Sequence, residues 1–149
     1  MAEYTYNAVQ EVAYGQAVIL DGSIPCNRGY VMHRDGSGIL TLRGIVNSPC
    51  MRFARYQVTF NANVAIPTGG TAGPISVALA IDGEPVQTSK AIVTPTVVDA
   101  YFNVTSTAIV TVPSGCCPTV SVENTSEGAA GTGVTIEVQN ANLTVTRIA

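Results

Sequence analysis

The sequence predicts an all-β protein, a single antiparallel jelly-roll sandwich of about eight to ten short strands. Three observations lead there. Apolar and polar residues alternate with a period of two in several segments, Gly, Pro, Asn and Asp punctuate the chain at strand-length intervals, and no Ala-, Leu-, Glu- and Lys-rich stretch of helical length occurs. Without helices to provide crossovers, the strands must pair antiparallel.

The clearest strand is Ala54 to Phe60, where Tyr56, Val58 and Phe60 share one face and Arg55, Gln57 and Thr59 the other. Ile75 to Ile81 opposes Ile75, Val77, Leu79 and Ile81 to Ser76, Ala78 and Ala80, so small side chains leave room for close packing on its second face. Asp82-Gly83-Glu84-Pro85 then reads as a hairpin turn, with Gly83 free to take positive φ, and a returning strand is expected over Val86 to Val93. Further strands are expected at Gln16 to Leu20, Gly29 to His33, Gly38 to Ile45, Tyr101 to Thr105, Thr107 to Val112, Thr119 to Glu123 and Val134 to Thr146, the last with a break near Asn140. Val112-Pro113-Ser114-Gly115 reads as a turn, and Glu127 to Gly133 as a mobile glycine-rich loop. A chain of 149 residues suits one domain, 1–149, in which 1–14 is either an amino-terminal arm or a first strand.

Composition narrows the function. Hydrophobic residues make up 46% and charged residues 11%, less than half the charge of about 25% usual for soluble domains, so Thr, Ser, Asn, Gly and Ala must form the surface. A subunit that hides surface in an assembly tolerates this better than a lone soluble protein. The net charge is −3 and the basic residues are scattered, with only Arg52 and Arg55 close together, which argues against nucleic acid as a partner. No apolar run approaches the roughly 18 residues that span a bilayer. The first residues have neither a basic nor an apolar leader region, so lysis is the expected route out of the cell.

The side chains that carry chemistry are sparse. His33-Arg34-Asp35-Gly36-Ser37 contains base, orienting and nucleophile types, yet its spacing fits a strand end entering a turn capped by Asp and Ser. Gly69-Gly70-Thr71-Ala72-Gly73 lacks the Lys and following helix of a phosphate loop. No catalytic residue, cofactor or metal site is therefore assigned. Of the four cysteines, Cys116 and Cys117 would face opposite sides of a strand; buried free thiols are the leading reading, and a Cys26 to Cys50 disulfide between Pro-flanked turns is the other. Tyr56 reads as core. Tyr4, Tyr6, Tyr14, Tyr101 and Phe102 are the candidate interface residues, the first three as part of an arm and the last two as neighbours on a strand that must turn one ring outward. The sandwich and these aromatics also permit a glycan- or host-surface-binding module, although the chain has no Trp.

Pro25-Cys26-Asn27-Arg28-Gly29-Tyr30-Val31, His33 to Gly38, Arg55 to Phe60 and the long run from Ile66 to Pro85 resemble a group of small proteins of phages and prophages of gut Clostridia; Val112 to Cys117 and Val138 to Leu143 are similar too. More distantly, the order of elements resembles the jelly roll of tumour necrosis factor (TNF) and the complement globular head, as in the carboxy-terminal domain of collagen-like spore-surface glycoproteins. The resemblance implies a non-enzymatic homotrimer with apolar sheet faces around a threefold axis, placed on a virion surface as capsid decoration or head fibre. Its implied partners are the major capsid or another virion protein. No Gly-X-Y segment is present, which makes the spore surface the second location.

Overall fold

The computed structural model describes residues 1–25, 29–128 and 130–149. Two antiparallel sheets pack face to face, and the strands are β1 (Ala2–Tyr6), β2 (Gln10–Val12), β3 (Gly22–Ile24), β4 (Val31–His33), β5 (Leu40–Leu42), β6 (Phe53–Ala65), β7 (Ile75–Ile81), β8 (Glu84–Pro85), β9 (Ala91–Val93), β10 (Phe102–Pro113), β11 (Thr119–Asn124) and β12 (Ile136–Arg147). The first sheet runs β10-β6-β12-β1-β3, with β2 also on β12; the second runs β4-β5-β11-β7-β8, with β9 also on β7. Strands meet as the alternation predicts. Tyr56, Val58 and Phe60 are fully buried with Leu143 and Val145 of the adjoining β12, and β7 and β11 supply Ile75, Val77, Leu79, Val120 and Val122 from the facing sheet.

The strand predicted over Ala54 to Phe60 extends to thirteen residues, and the two predicted over Tyr101 to Val112 are one continuous β10 in unbroken register with β6. The expected break in the last strand is a bulge. Asn140 takes φ 54° and the pairing with β6 shifts between Gln139 and Asn142, which keeps Ile136, Val138, Leu143 and Val145 all on the core side.

Three expectations are corrected. The return strand predicted over Val86 to Val93 forms only at its end, as β9, after a 3-10 turn at Gln87–Ser89 in which the Ser89 side chain takes the place of a ladder strand. Its Oγ accepts from the Leu79 N–H at 3.0 Å, while the Val86 N–H donates to the Leu79 carbonyl at 2.8 Å. Residues 16–20 are not a named strand: they make the isolated bridges Ala17 to Glu123 and Leu20 to Ser37, with the Val18 N–H donating to the Val122 carbonyl at 2.8 Å. There the Gln10 amide mimics a neighbouring strand, donating to the Ile19 carbonyl at 2.9 Å and accepting from the Ile19 N–H at 2.8 Å. Cys116 and Cys117 lie beyond the end of β10 rather than on a strand, and with Cys50 they are exposed free thiols, not buried ones. The proposed partner of Cys50, Cys26, lies outside the described residues.

Chain direction divides the loops between two ends. Loops 43–52 and 114–118 share one end, clamped together where the Gly44 N–H donates to the Cys116 carbonyl at 2.9 Å and the Ser114 N–H to the Arg52 carbonyl at 2.8 Å. A Cβ on Gly44 would lie 2.0 Å from the Pro113 carbonyl oxygen, so this contact requires glycine. At the opposite end lie loops 13–17, 66–74, 94–101 and 125–135.

Candidate functional site

The sequence-predicted site residues do not form one cluster. Tyr4 is 1% exposed, its ring 4.7 Å from that of His33, so it is core and cannot anchor a partner. Its place follows from β1 lying between β12 and β3 with alternate residues turned inward. Tyr6 is half-buried against the same core. Tyr14 is exposed, and its ring lies flush on the backbone of Gly133, where an added Cβ would come within 2.7 Å of Cγ. Tyr101 and Phe102 are both exposed at the start of β10, and the Tyr101 hydroxyl donates to Glu137 Oε2 at 2.8 Å. Burial, that hydrogen bond and the charges of Glu137 and Asp99 push the Tyr101 phenol up to about 12.

His33 to Ser37 is a turn. The His33 side chain is 1% exposed, its Nε2 donates to the Ser37 carbonyl at 2.8 Å, and the Ser37 hydroxyl accepts from the Ile39 N–H at 3.1 Å. Base and hydroxyl are thus both turned to local backbone. Among the described residues no three His, Cys, Asp or Glu side chains converge to hold a metal.

Two surfaces are organised enough to act. The first is the outward face of the long-stranded sheet, where register lines up rungs across β10, β6, β12 and β1: Thr107, Thr59, Thr144 and Glu3, then Thr105, Asn61, Asn142 and Thr5. A third rung continues with Asn103, Asn63 and Gln139, and Ile109, Gln57 and Thr146 form a fourth. Neighbours on β6 and β10 bond along three of the rungs. Thr59 and Thr107 hydroxyls lie 3.1 Å apart, Thr105 donates to Asn61 Oδ1 at 3.1 Å, and Asn103 donates to Asn63 Oδ1 at 3.2 Å. Glu3, the one charge in these rungs, accepts from the Asn142 amide. This face is polar: the β6 positions out of phase with Tyr56, Val58 and Phe60 are Arg55, Gln57, Thr59, Asn61 and Asn63. Sequence reasoning missed the rungs, although the alternating Thr and Asn of β6, β10 and β12 were the visible signal.

The second surface is a groove at the end bearing loops 66–74 and 125–135. Two adjoining depressions of about 200 and 220 Å³ share Pro74, Ile75, Glu127 and Gly128; Thr71, Thr132 and Val134 line one, Lys90, Ile92 and Thr125 the other. Beneath them is a buried polar staple. Fully buried Asn124 donates to the Val12 carbonyl at 2.8 Å and the Val134 carbonyl at 2.7 Å, and its Oδ1 accepts from the Ser126 N–H at 2.9 Å. Ser126 Oγ in turn accepts from the Ser76 N–H at 2.8 Å and donates to the Ser76 carbonyl at 3.0 Å. The loop base is closed by Gly133 N–H to Glu127 carbonyl at 3.0 Å and Val134 N–H to Ser126 carbonyl at 2.9 Å. Every buried polar group of the staple is therefore satisfied in one arrangement, which positions the groove walls before any ligand arrives.

With the two sheets and their order in view, solved structures supply counterparts. The chain is similar to the globular domain of a zebrafish complement 1qA protein, with a TM-score of 0.65, 15% identity and coverage of 99% of this chain and 96% of that one. It is also similar to the Eiger TNF from S. frugiperda, with a TM-score of 0.63, 12% identity and coverage of 100% and 92%. The fold is a TNF/C1q-like jelly roll. Neither a family model nor a curated protein sequence matches the chain. At these identities the likeness establishes the fold, so function must be argued from the two surfaces.

Proposed function

We propose that the chain is a non-enzymatic structural protein of a phage particle, a homotrimer that decorates the capsid or builds a head fibre. The observation that carries this reading is the β10 edge of the long-stranded sheet, with which no second strand pairs among the described residues. Soluble proteins blunt long sheet edges with charges, Pro, bulges or a covering segment. From Phe102 to Val112 β10 has no charge, no Pro and no bulge, and it pairs with β6 alone among the described residues. The other sheet edges are formed by strands of two or three residues, β3, β4, β8 and β9. Covering β10 and the rungs beside it with another copy removes hydroxyl and amide groups from water rather than charges, which costs far less where they re-pair. An edge of one copy set against the face of the next is a heterologous contact, which makes a ring where the rotation between copies closes, and the TNF-like resemblance supports a threefold one.

Placement on a virion rests on the resemblance to phage and prophage proteins, with synthesis in the bacterial cytoplasm, release by lysis and the major capsid protein as partner. The spore surface is the alternative location. Purified chain mixed with purified capsids should cosediment with them at a fixed stoichiometry; recovery only in the supernatant contradicts the role. A glycan- or host-surface-binding module is the second reading, supported by the pre-positioned groove, and a glycan array without signal above buffer removes it.

A further inference from the structure

The groove carries an inference that deepens the glycan-binding reading and rests on it. Its two depressions meet at Glu127, and Lys90 lies in only one of them. No ion pair joins Lys90 to Glu127 among the described residues. The structure therefore holds one carboxylate and one ammonium in adjoining compartments, each available to a ligand. Thr71, Thr125 and Thr132 add hydroxyls, and Pro74 and Ile75 form the shared apolar wall. A neutral hydroxyl-rich ligand would satisfy Glu127 and the threonines but leave Lys90 unmatched. A purely anionic one would set a negative group against Glu127.

We propose that the groove takes an acidic saccharide about two sugar units long, with hydroxyls of one ring donating to Glu127 and the carboxylate of the other accepting from Lys90. Charge complementarity at opposite ends fixes the direction of the ligand. An ammonium-to-carboxylate hydrogen bond also contributes more than a neutral one, roughly enough for a tenfold preference over the uncharged sugar.

The test is titration of the full chain, by calorimetry and amide chemical shifts, with a glucuronic-acid-containing disaccharide and its neutral glucose counterpart at low salt. Tighter binding of the acidic sugar by about tenfold is expected, with shifts confined to residues 71–76, 90–92 and 125–134. Lys90→Gln should reduce the acidic sugar to the level of the neutral one, and Glu127→Gln should weaken both. Both replacements are at surface side chains, and unchanged shifts elsewhere verify the fold. Equal affinity for the two sugars overturns this inference and leaves the glycan reading standing. Binding of neither at about 10 mM overturns both.

Discussion

The two sheets use their polar residues in opposite ways. In the long-stranded sheet, Thr and Asn stand on the outward face in rungs, half-exposed or exposed, bonded mainly to one another. In the short-stranded sheet they are buried and hold backbone: Asn124 and Ser126 tie the β11 exit to β2 and β7, and Ser89 stands in for a strand beside Leu79. The difference teaches that polarity in the second sheet maintains the fold of one copy, whereas polarity in the first is left over once the copy is folded. An unspent polar face next to an open edge is a surface an assembly can use.

That contrast is sharpest in stability. Asn124→Ala leaves the Val12 and Val134 carbonyls and the Ser126 N–H without their partner in a dry interior, and should cost about 3 kcal/mol. Asn61→Ala on the open face should change the stability of an isolated copy by about 0.5 kcal/mol or less. Urea unfolding of the two variants checks the pair, and equal losses would erase the distinction between the sheets.

A charge placed on the open edge separates folding from assembly. Thr107→Lys should dissociate the proposed trimer at micromolar concentration, because an interfacial ammonium without a partner costs several kcal/mol, while the released copy unfolds within about 0.5 kcal/mol of an isolated wild-type copy. Sedimentation velocity together with denaturation reads both effects.

Alkaline titration examines the far end of the long sheet. The Tyr101 phenol ionises near 12 in the folded chain against 10.0 for a free phenol, so the unfolded chain loses this proton first. Its stabilising contribution is complete below pH 10 and is lost as pH rises from 10 to about 12. Unfolding midpoints should therefore fall more steeply across that interval in the wild type than in Tyr101→Phe. The smallest effect is a gain. Glu11 of β2 sits directly opposite Glu137 of β12, and Glu11→Gln should raise stability by about 0.5 kcal/mol at neutral pH by relieving like charges.

How much of this was legible depends on whether the deciding contact is local. The alternation of Tyr56, Val58 and Phe60, the Asp82-Gly83 turn and the irregularity at Asn140 are written in adjacent residues, and the structure places them as predicted: Asp82 and Gly83 both take positive φ, as a two-residue hairpin turn requires. The return strand failed because a side chain, Ser89, occupies a backbone position beside Leu79, and residues 16–20 failed because the Gln10 amide does the same. Neither substitution has a periodic signature. Tyr4 and Tyr6 share a parity on β1, yet only Tyr4 lies deep enough to be sealed, a matter of which strand passes over it. The groove was invisible because Pro74, Lys90 and Glu127 meet only through the pairing of β7 with β9 and β11. The rungs were missed: Arg55, Gln57 and Thr59 marked the second face as polar, but a strand sequence does not reveal which residues pair beside it or what covers it.

The most direct test of the central claim, that the polar face of the long-stranded sheet and its β10 edge are covered by other copies of the chain, is the solution mass by multi-angle light scattering at micromolar concentration. Three times the 15.4 kDa chain mass for the wild type, falling to one chain mass in Thr107→Lys, is the predicted result. A wild-type mass of 15.4 kDa would contradict it, leaving β10 as an exposed edge and the groove as the remaining surface from which to argue function.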